Sequence, residues 1–472
     1  MTLEEILSVR PEPGQPRTYT FPSFTRTVLP SGMQVLVVQI PGRPLVSANL
    51  IVRRGASDEP ADLAGATVLM ARAMTEGTER YPGVELIEAA ERLGATLGVD
   101  ANWDGFVASV DVAASRLPAA LALLAELVEH PTFPEADVAR LREERLNDLL
   151  QVKADPRRRV DQAFTSTIYA AGSPYGRPAA GDEQTVPGLT PDALRRVHRT
   201  IQDPSRTALV VGGDITAADV LRAIGASADL VPTPANLPAD PSVGAPTVAS
   251  GVDHPIVRFY HRPGAVQTEL RIGHVGLPRR TPDFYAVQVM GAILGGLFNS
   301  RLQMNLREDK GYTYGIGAGF DMRRAAGPFS VRTAVQTPAT VPSISETLSE
   351  LRRIRETEVT PAELAAARDY LIGVFPLRFE TPGAVVGALG GLYVQGLPDD
   401  ELTRYRAAVD AVSVADVHKA ARDHIHIDRL AIVAVGDFDT VGADLEAAGF
   451  GELEVIREEL PTEIAEGGEV DE

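Results

Sequence analysis

TPDALRRVHRTIQDPSRTALVVGGD, running from Thr190 to Asp214, can be laid without a gap on SVADVHKAARDHIHIDRLAIVAVGD, running from Ser413 to Asp437. Each begins with a helix-start signal, Thr190 with Pro191 in one and Ser413 with Asp416 in the other. Each then runs through a helix and ends in an apolar strand closed by Gly-Asp. Arg206 falls on Arg429, Ala208 on Ala431, Val210 on Val433, Gly213 on Gly436 and Asp214 on Asp437. One structural unit therefore occurs twice in the chain.

The flanking segments keep the same order in both halves. FPEADVARLREERLNDLLQ (Phe133–Gln151) and TPAELAAARDYLIGVF (Thr360–Phe375) are helices, the second opened by a Thr360/Glu363 capping box. Each is preceded by another amphipathic helix, LPAALALLAELVEH or VPSISETLSELRRI, with apolar residues at i, i+3, i+4 spacing. Strand patterns come early in each half: GMQVLVVQI and SANLIVRRG, then IVRFYHR and TELRIGHVGL. Between the halves, Leu230–Gly251 holds five prolines and few large apolar residues, so it reads as an extended linker. The expected organisation is a first domain over residues 20–229, a Pro-rich linker over 230–251, a second domain over 252–450 and an acidic, unpacked tail over 451–472. The fold class is α+β: two homologous domains, each a mostly antiparallel sheet with helices packed on one face.

Composition excludes several functions. The 472 residues contain no cysteine, which removes disulfides, thiolate catalysis and Cys-ligated metals. A formal charge of −19 repels a phosphate backbone, so nucleic acid is not an expected partner. No segment approaches the roughly 20 apolar residues of a membrane span, and the N-terminus has no signal-peptide pattern, so the expected location is cytoplasmic.

AGATVLMARAMTEGT, Ala64–Thr78, follows the strand SANLIVRRG and leads to Gly77-Thr78. With LPSGMQVLVVQIPGRPLVSANLIVRRGASDEPAD before it, and GGLFNSRLQMNLREDKGYTYGIGAGF in the second half, the chain resembles the zinc peptidases that include pitrilysin, insulin-degrading enzyme and the mitochondrial processing peptidase. The resemblance covers nearly the whole chain and implies half of a clam-shell. Gly55 and Glu59 match the family's G-x-x-x-E/D, but its H-x-x-E-H helix falls here on Val68, Leu69, Met70, Ala71 and Arg72. In that family the histidines at i and i+4 grip zinc from one helix face and the glutamate is the general base. Valine and alanine have no lone pair to offer, and arginine is a permanent cation. The family's third ligand position maps to Asp148, so an Arg72–Asp148 ion pair is the expectation where the metal would be, against the alternative that both are solvated helix residues. No zinc is expected in this chain. Of the eight histidines only His424 and His426 lie close together, near a helix end where an imidazolium is favoured over a metal site.

In two-chain members of the family, one chain carries zinc and its homologous partner carries an Arg and a Tyr seven residues apart. LREDKGYTYG supplies Arg307 and Tyr314, preceded by a turn at Gly295 and Gly296. The resemblance implies that Arg307 and Tyr314 hold a peptide carbonyl beside the scissile bond, and that Gly295 and Gly296 let an extended peptide approach. Against this stand an ordinary helix arginine paired with Glu308 or Asp309, a core tyrosine sharing a strand face with Ile316 and Ala318, and a plain helix stop at the two glycines. The resemblance thus implies a non-catalytic subunit whose homologous partner holds the zinc and which binds peptide. A peptidase-like scaffold without such a role is the alternative, and two half-shells make a homodimer plausible for the isolated chain.

Overall fold

The computed structural model describes residues 18–226, 230 and 245–458. The first half builds a six-stranded sheet from β1 (Phe24–Val28), β2 (Gln34–Gln39), β3 (Leu45–Val52), β4 (Thr96–Ala101), β5 (Phe106–Ala113) and β6 (Thr207–Gly213), in the order β1-β2-β6-β3-β5-β4. The second uses β7 (Ile256–His261), β8 (Gln267–Val275), β9 (Ile316–Phe320), β10 (Pro328–Gln336), β11 (Ala431–Gly436) and β12 (Glu452–Ile456), in the order β12-β7-β11-β8-β10-β9. Five positions of the two sheets correspond. Only the outer strand differs, antiparallel β1 in one and parallel β12 in the other. The remaining pairings are antiparallel except β2 with β6 and β7 with β11.

The repeated stretch forms the centre of each sheet. Thr190 caps the Pro191–Ile201 helix through the Ala193 N–H, and Ser413 with Asp416 closes a capping box on the Val414–His424 helix. Each helix leads into a strand, β6 or β11, buried along its whole length. Alternation explains why these strands read as continuous apolar runs. Leu209 and Val211 face their own half's helices, whereas Ala208 and Val210 face Val385, Val386 and Leu389 on the Pro382–Gln395 helix. That helix belongs to the second half. Reciprocally, Ala431, Val433 and Val435 of β11 face Val160, Ala163 and Phe164 on the Pro156–Ile168 helix of the first half. Each sheet thus has its own helices on one face and a helix borrowed from the other half on the opposite face. Gly390 allows the approach, since a Cβ there would stand 2.4 Å from Ile51 Cδ1.

A buried polar seam reinforces the exchange. Arg324, in the β9–β10 connection, donates through Nη2 to Asp58 at 2.9 Å, and its backbone N–H donates to Asp104 at 2.8 Å. The Tyr175 hydroxyl donates to the same Asp104 at 2.5 Å and accepts from the Ala325 N–H. Arg324, Asp58 and Asp104 have side-chain exposures of 7, 3 and 7%.

Two boundary expectations need correction. The tail does not begin at 451: Glu452–Ile456 form β12 beside β7, and Glu458 pairs with Arg159 and Arg262. Its alternating Leu453 and Val455 are a strand pattern that the acidic composition concealed. Of the expected linker, Leu230 is buried in the first core and Ser250 bridges to Tyr169, while 231–244 lie outside the described residues, as does 459–472 of the tail. No helix among the described residues is long and apolar enough to cross a membrane.

Candidate functional site

The Ala66–Met74 helix carries the five positions of the degenerate motif. Its N-terminus is held by Glu59, whose carboxylate accepts from the Gly65 N–H at 3.0 Å and from the Thr67 N–H. Gly55 is confined by the loop after β4, since a Cβ would stand 2.4 Å from the Asn102 carbonyl oxygen. Burial pushes Glu59 up to about 7, against the lowering effect of these N–H donors and of Arg177. Because this pKa exceeds the unfolded value, folded Glu59 keeps its proton longer as pH rises. Its contribution to stability is therefore complete below about pH 4.5 and declines up to about pH 7, by at most about 3 kcal/mol. Glu59→Gln should remove this slope. A wild-type minus variant difference in unfolding midpoint that stays flat from pH 4 to 8 would contradict the assignment.

At the motif itself, Leu69, Met70 and Ala71 are buried in the first core, Val68 is half-buried and Arg72 is exposed. The expected Arg72–Asp148 pair does not form. Arg72 Nη2 donates to Glu144 at 2.9 Å, one helical turn before Asp148 on the Glu135–Ala154 helix, while Asp148 is held by Arg145 and by Arg158 at 2.6 Å. Arg140 joins Glu144 and Glu76 at 2.7 Å each, and Asp137 at 3.4 Å. Burial would raise Asp148, but its hydrogen bonds and the charges of Arg158 and Arg145 hold it below the ordinary carboxylate range. The Arg140 hydrogen bond does the same for Glu144. Four guanidiniums thus face four carboxylates, a set that is already neutral and leaves no excess of negative charge for a dication.

Zinc, which the family uses, does not fit these residues. Val68 and Ala71 offer no ligand atom, and every carboxylate at the site is engaged by arginine. Among the described residues one other group could hold a metal ion: His261, Asp437 and Asp439. There His261 Nδ1 accepts from the Phe438 N–H at 3.1 Å and Asp439 pairs with Arg457 at 2.8 Å, so the donors are committed to capping the last helix. His424 and His426 do not converge on a metal either. His424 Nε2 lies 2.7 Å from Asp283, and the His426 N–H donates to His274. Burial lowers the His426 pKa, which disfavours at that residue the imidazolium expected near the helix end. Adding zinc or a chelator to the purified chain should leave its unfolding midpoint unchanged. A zinc-dependent rise would show a site these contacts do not provide.

The second set lies on two wide helical turns, Ala292–Gly296 and Gln303–Asp309, both packed on β9. Their i→i+5 bonds are explicit: the Leu297 N–H donates to the Ala292 carbonyl and the Lys310 N–H to the Asn305 carbonyl. Gly295 is buried, and a Cβ there would stand 2.5 Å from the Ala318 nitrogen. Its smallness therefore serves helix-on-strand packing, a correction to the expected open approach for peptide; Gly296 alone of the pair is exposed. Arg307 is half-exposed, with its guanidinium 4.8 Å from the Phe298 ring and Nε 3.4 Å from Glu308. Tyr314 is 91% exposed and precedes β9, so the reading of it as a core aromatic beside Ile316 fails. Its backbone is nonetheless fixed. The Thr313 hydroxyl donates to the Ala334 carbonyl at 2.7 Å, accepts from the Gly315 N–H at 3.0 Å and lies 2.9 Å from the Thr333 hydroxyl. No hydrogen bond or ion pair among the described residues joins Arg307 and Tyr314 to the degenerate set around Arg72.

Two repeated α+β halves, with valine, alanine and arginine where a zinc peptidase places its ligands and base, define a peptidase-like fold without the peptidase's own metal-binding set. A model described as Insulinase (Peptidase family M16) matches residues 34–183, and one described as Peptidase M16 inactive domain matches residues 188–371. The chain belongs to peptidase family M16. It is 26% identical over 406 residues to an uncharacterized zinc protease of Streptomyces coelicolor, covering 84% of this chain and 86% of that one. It is also 21% identical over 402 residues to a non-peptidase homolog of Helicobacter pylori, covering 84% and 89%. Its fold matches the peptidase M16 inactive domain from Pseudomonas fluorescens with a TM-score of 0.79 at 25% identity, over 88% of this chain and 98% of that one.

Proposed function

We propose that this chain is the non-catalytic, substrate-binding subunit of a heterodimeric zinc metallopeptidase, inactive alone, whose homologous partner carries H-x-x-E-H and the zinc. The observation that carries this reading is Tyr314: a tyrosine 91% exposed on a turn whose backbone is pinned by Thr313 and Thr333. An exposed aromatic held in a fixed place serves nothing inside its own fold, but it suits contact with a second molecule. Arg307, kept half-exposed over Phe298, adds a cation to the same end of the sheet. Both groups can donate hydrogen bonds to a peptide carbonyl. Enclosed between two half-shells, they would favour the charge that develops there during hydrolysis. The non-peptidase homolog among the relatives supports the absence of independent catalysis. The Arg307–Glu308 contact favours the second reading, a peptidase-like scaffold in which Arg307 is an ordinary surface residue.

The test is to titrate a zinc-motif homologue from the same organism with this chain while following a quenched fluorescent peptide. Activity rising to a plateau near equal stoichiometry supports the heterodimer. A homologue whose rate is indifferent to the added chain favours the scaffold.

A further inference from the structure

Beside Tyr314 lies a cavity of about 300 Å³ between β10, the start of β8 and the N-terminal turn of the Pro156–Ile168 helix. Its charged lining is Arg157, Asp161, Glu269, Arg271 and Arg332. The interior of this set is self-contained. Arg271, 3% exposed, donates through Nε to Asp161 at 2.6 Å and through Nη1 to Glu269 at 3.1 Å. Both carboxylates are thereby spoken for. Arg157 and Arg332 are exposed, and neither side chain has a hydrogen bond or ion pair among the described residues.

Arg332 occupies a place where local electrostatics disfavours a cation. Arg332 sits directly across from Arg271 in the β8–β10 register, a like-charge pairing that costs stability. Its neighbour on the other side is Gly317 of β9, which supplies no side chain to screen it. Arg157 is the second residue of a helix opened by Pro156; Asp155 caps its backbone N–H at 2.8 Å, and its side chain is left pointing out without a partner among the described residues. Two guanidiniums without a side-chain partner flank one cavity whose five charged side chains sum to +1, a positive spot in a chain of formal charge −19 and a local arrangement that suits a binding site better than a packing solution. An anion between them would give both a partner.

We propose that this cavity is a specificity subsite for peptide segments carrying an aspartate or glutamate side chain close to the residue held at Tyr314. The inference rests on the reading of Tyr314 as a substrate contact. The carboxylate is received by Arg332 and Arg157, and the peptide passes over Thr313–Gly315 on its way to the cavity. The partner's chemistry is unaffected; the subsite selects which segment is presented.

The experiment uses three quenched peptides identical except for Glu, Gln or Lys at one position, that position being moved stepwise around the scissile bond. The rate constant kcat/KM is measured for the reconstituted pair, and direct binding to the full chain alone is followed by fluorescence anisotropy. At one position Glu should be preferred over Gln by about three- to tenfold at low salt, as two solvent-facing ion pairs allow, with the preference shrinking as salt is raised. The double variant Arg157→Ala/Arg332→Ala should abolish the preference, and Arg332→Glu should shift it towards Lys, with unfolding midpoints that do not fall, because both residues are exposed and Arg332 faces Arg271. Equal treatment of Glu and Lys by the wild type, or a preference that survives the double variant, overturns the subsite. If the chain fails to raise the partner's rate at all, the heterodimer reading falls by that arm, while the anisotropy arm still decides whether the cavity selects acidic peptides.

Discussion

Arg324→Met should destabilise the fold by about 3–5 kcal/mol, the range seen when one member of a buried ion pair is removed and the other charge is left without compensation. Two carboxylates would be stranded here, Asp58 and Asp104, both almost fully buried and both in the first half, whereas Arg324 comes from the second. Methionine keeps the volume and loses the charge, so the effect reads the network rather than a cavity. Adding Asp58→Asn to the Met variant should recover part of the loss, because removing one stranded charge reduces the desolvation penalty; the two changes should not be additive. Urea unfolding measures both quantities. A shift below about 1 kcal/mol for the single variant would mean that water reaches the seam and that the halves are held by apolar packing alone.

Tyr314→Phe and Arg307→Ala should each lower the rate of the reconstituted peptidase by about 10² to 10³, the loss typical of removing one donor aimed at an oxyanion. The loss should fall on kcat as well as on kcat/KM, because a bond that strengthens as charge develops is made chiefly in the transition state. Stability should not change. The Tyr314 hydroxyl has no partner among the described residues and the residue is 91% exposed, so phenylalanine removes only a group that reaches outward. A fall in rate of less than about threefold, with stoichiometric assembly intact, would make the pair of residues incidental to hydrolysis.

Much of this architecture could be read from the chain. The Thr190–Asp214 and Ser413–Asp437 repeat predicted a helix leading into a central strand twice over, and β6 and β11 occupy corresponding places in the two sheets. What could not be read was which sheet each helix would cover. Val160, Ala163 and Phe164 announce an apolar helix face, as do Val385, Val386 and Leu389. An apolar face is compatible with any apolar surface, and the choice is made only by three-dimensional closure. The same limit affected the degenerate site. Counting along the motif led to Asp148, while Arg72 selected Glu144, four residues earlier on the same helix face; a register inferred by counting is uncertain by a turn, because residues i and i+4 present themselves to the same neighbour. The Asp58–Arg324 contact joins residues 266 apart in sequence and left no local signal at all. Tyr314 was legible as a residue of interest through its neighbours, but its exposure was not: TYGIGAGF alternates well enough to suggest a buried strand face, and only the Thr313 turn takes the tyrosine out of it.

The reciprocal loan of the Pro156–Ile168 and Pro382–Gln395 helices bears on how this polypeptide can be divided. A cut anywhere between the two sheets separates each sheet from the helix that seals its second face, so neither fragment should persist as a folded body by itself. The two fragments together contain every missing cover. Co-expressed from separate genes, they should recognise each other and melt in one cooperative transition, as is expected of the intact chain. The covalent connection is then a matter of effective concentration rather than of architecture.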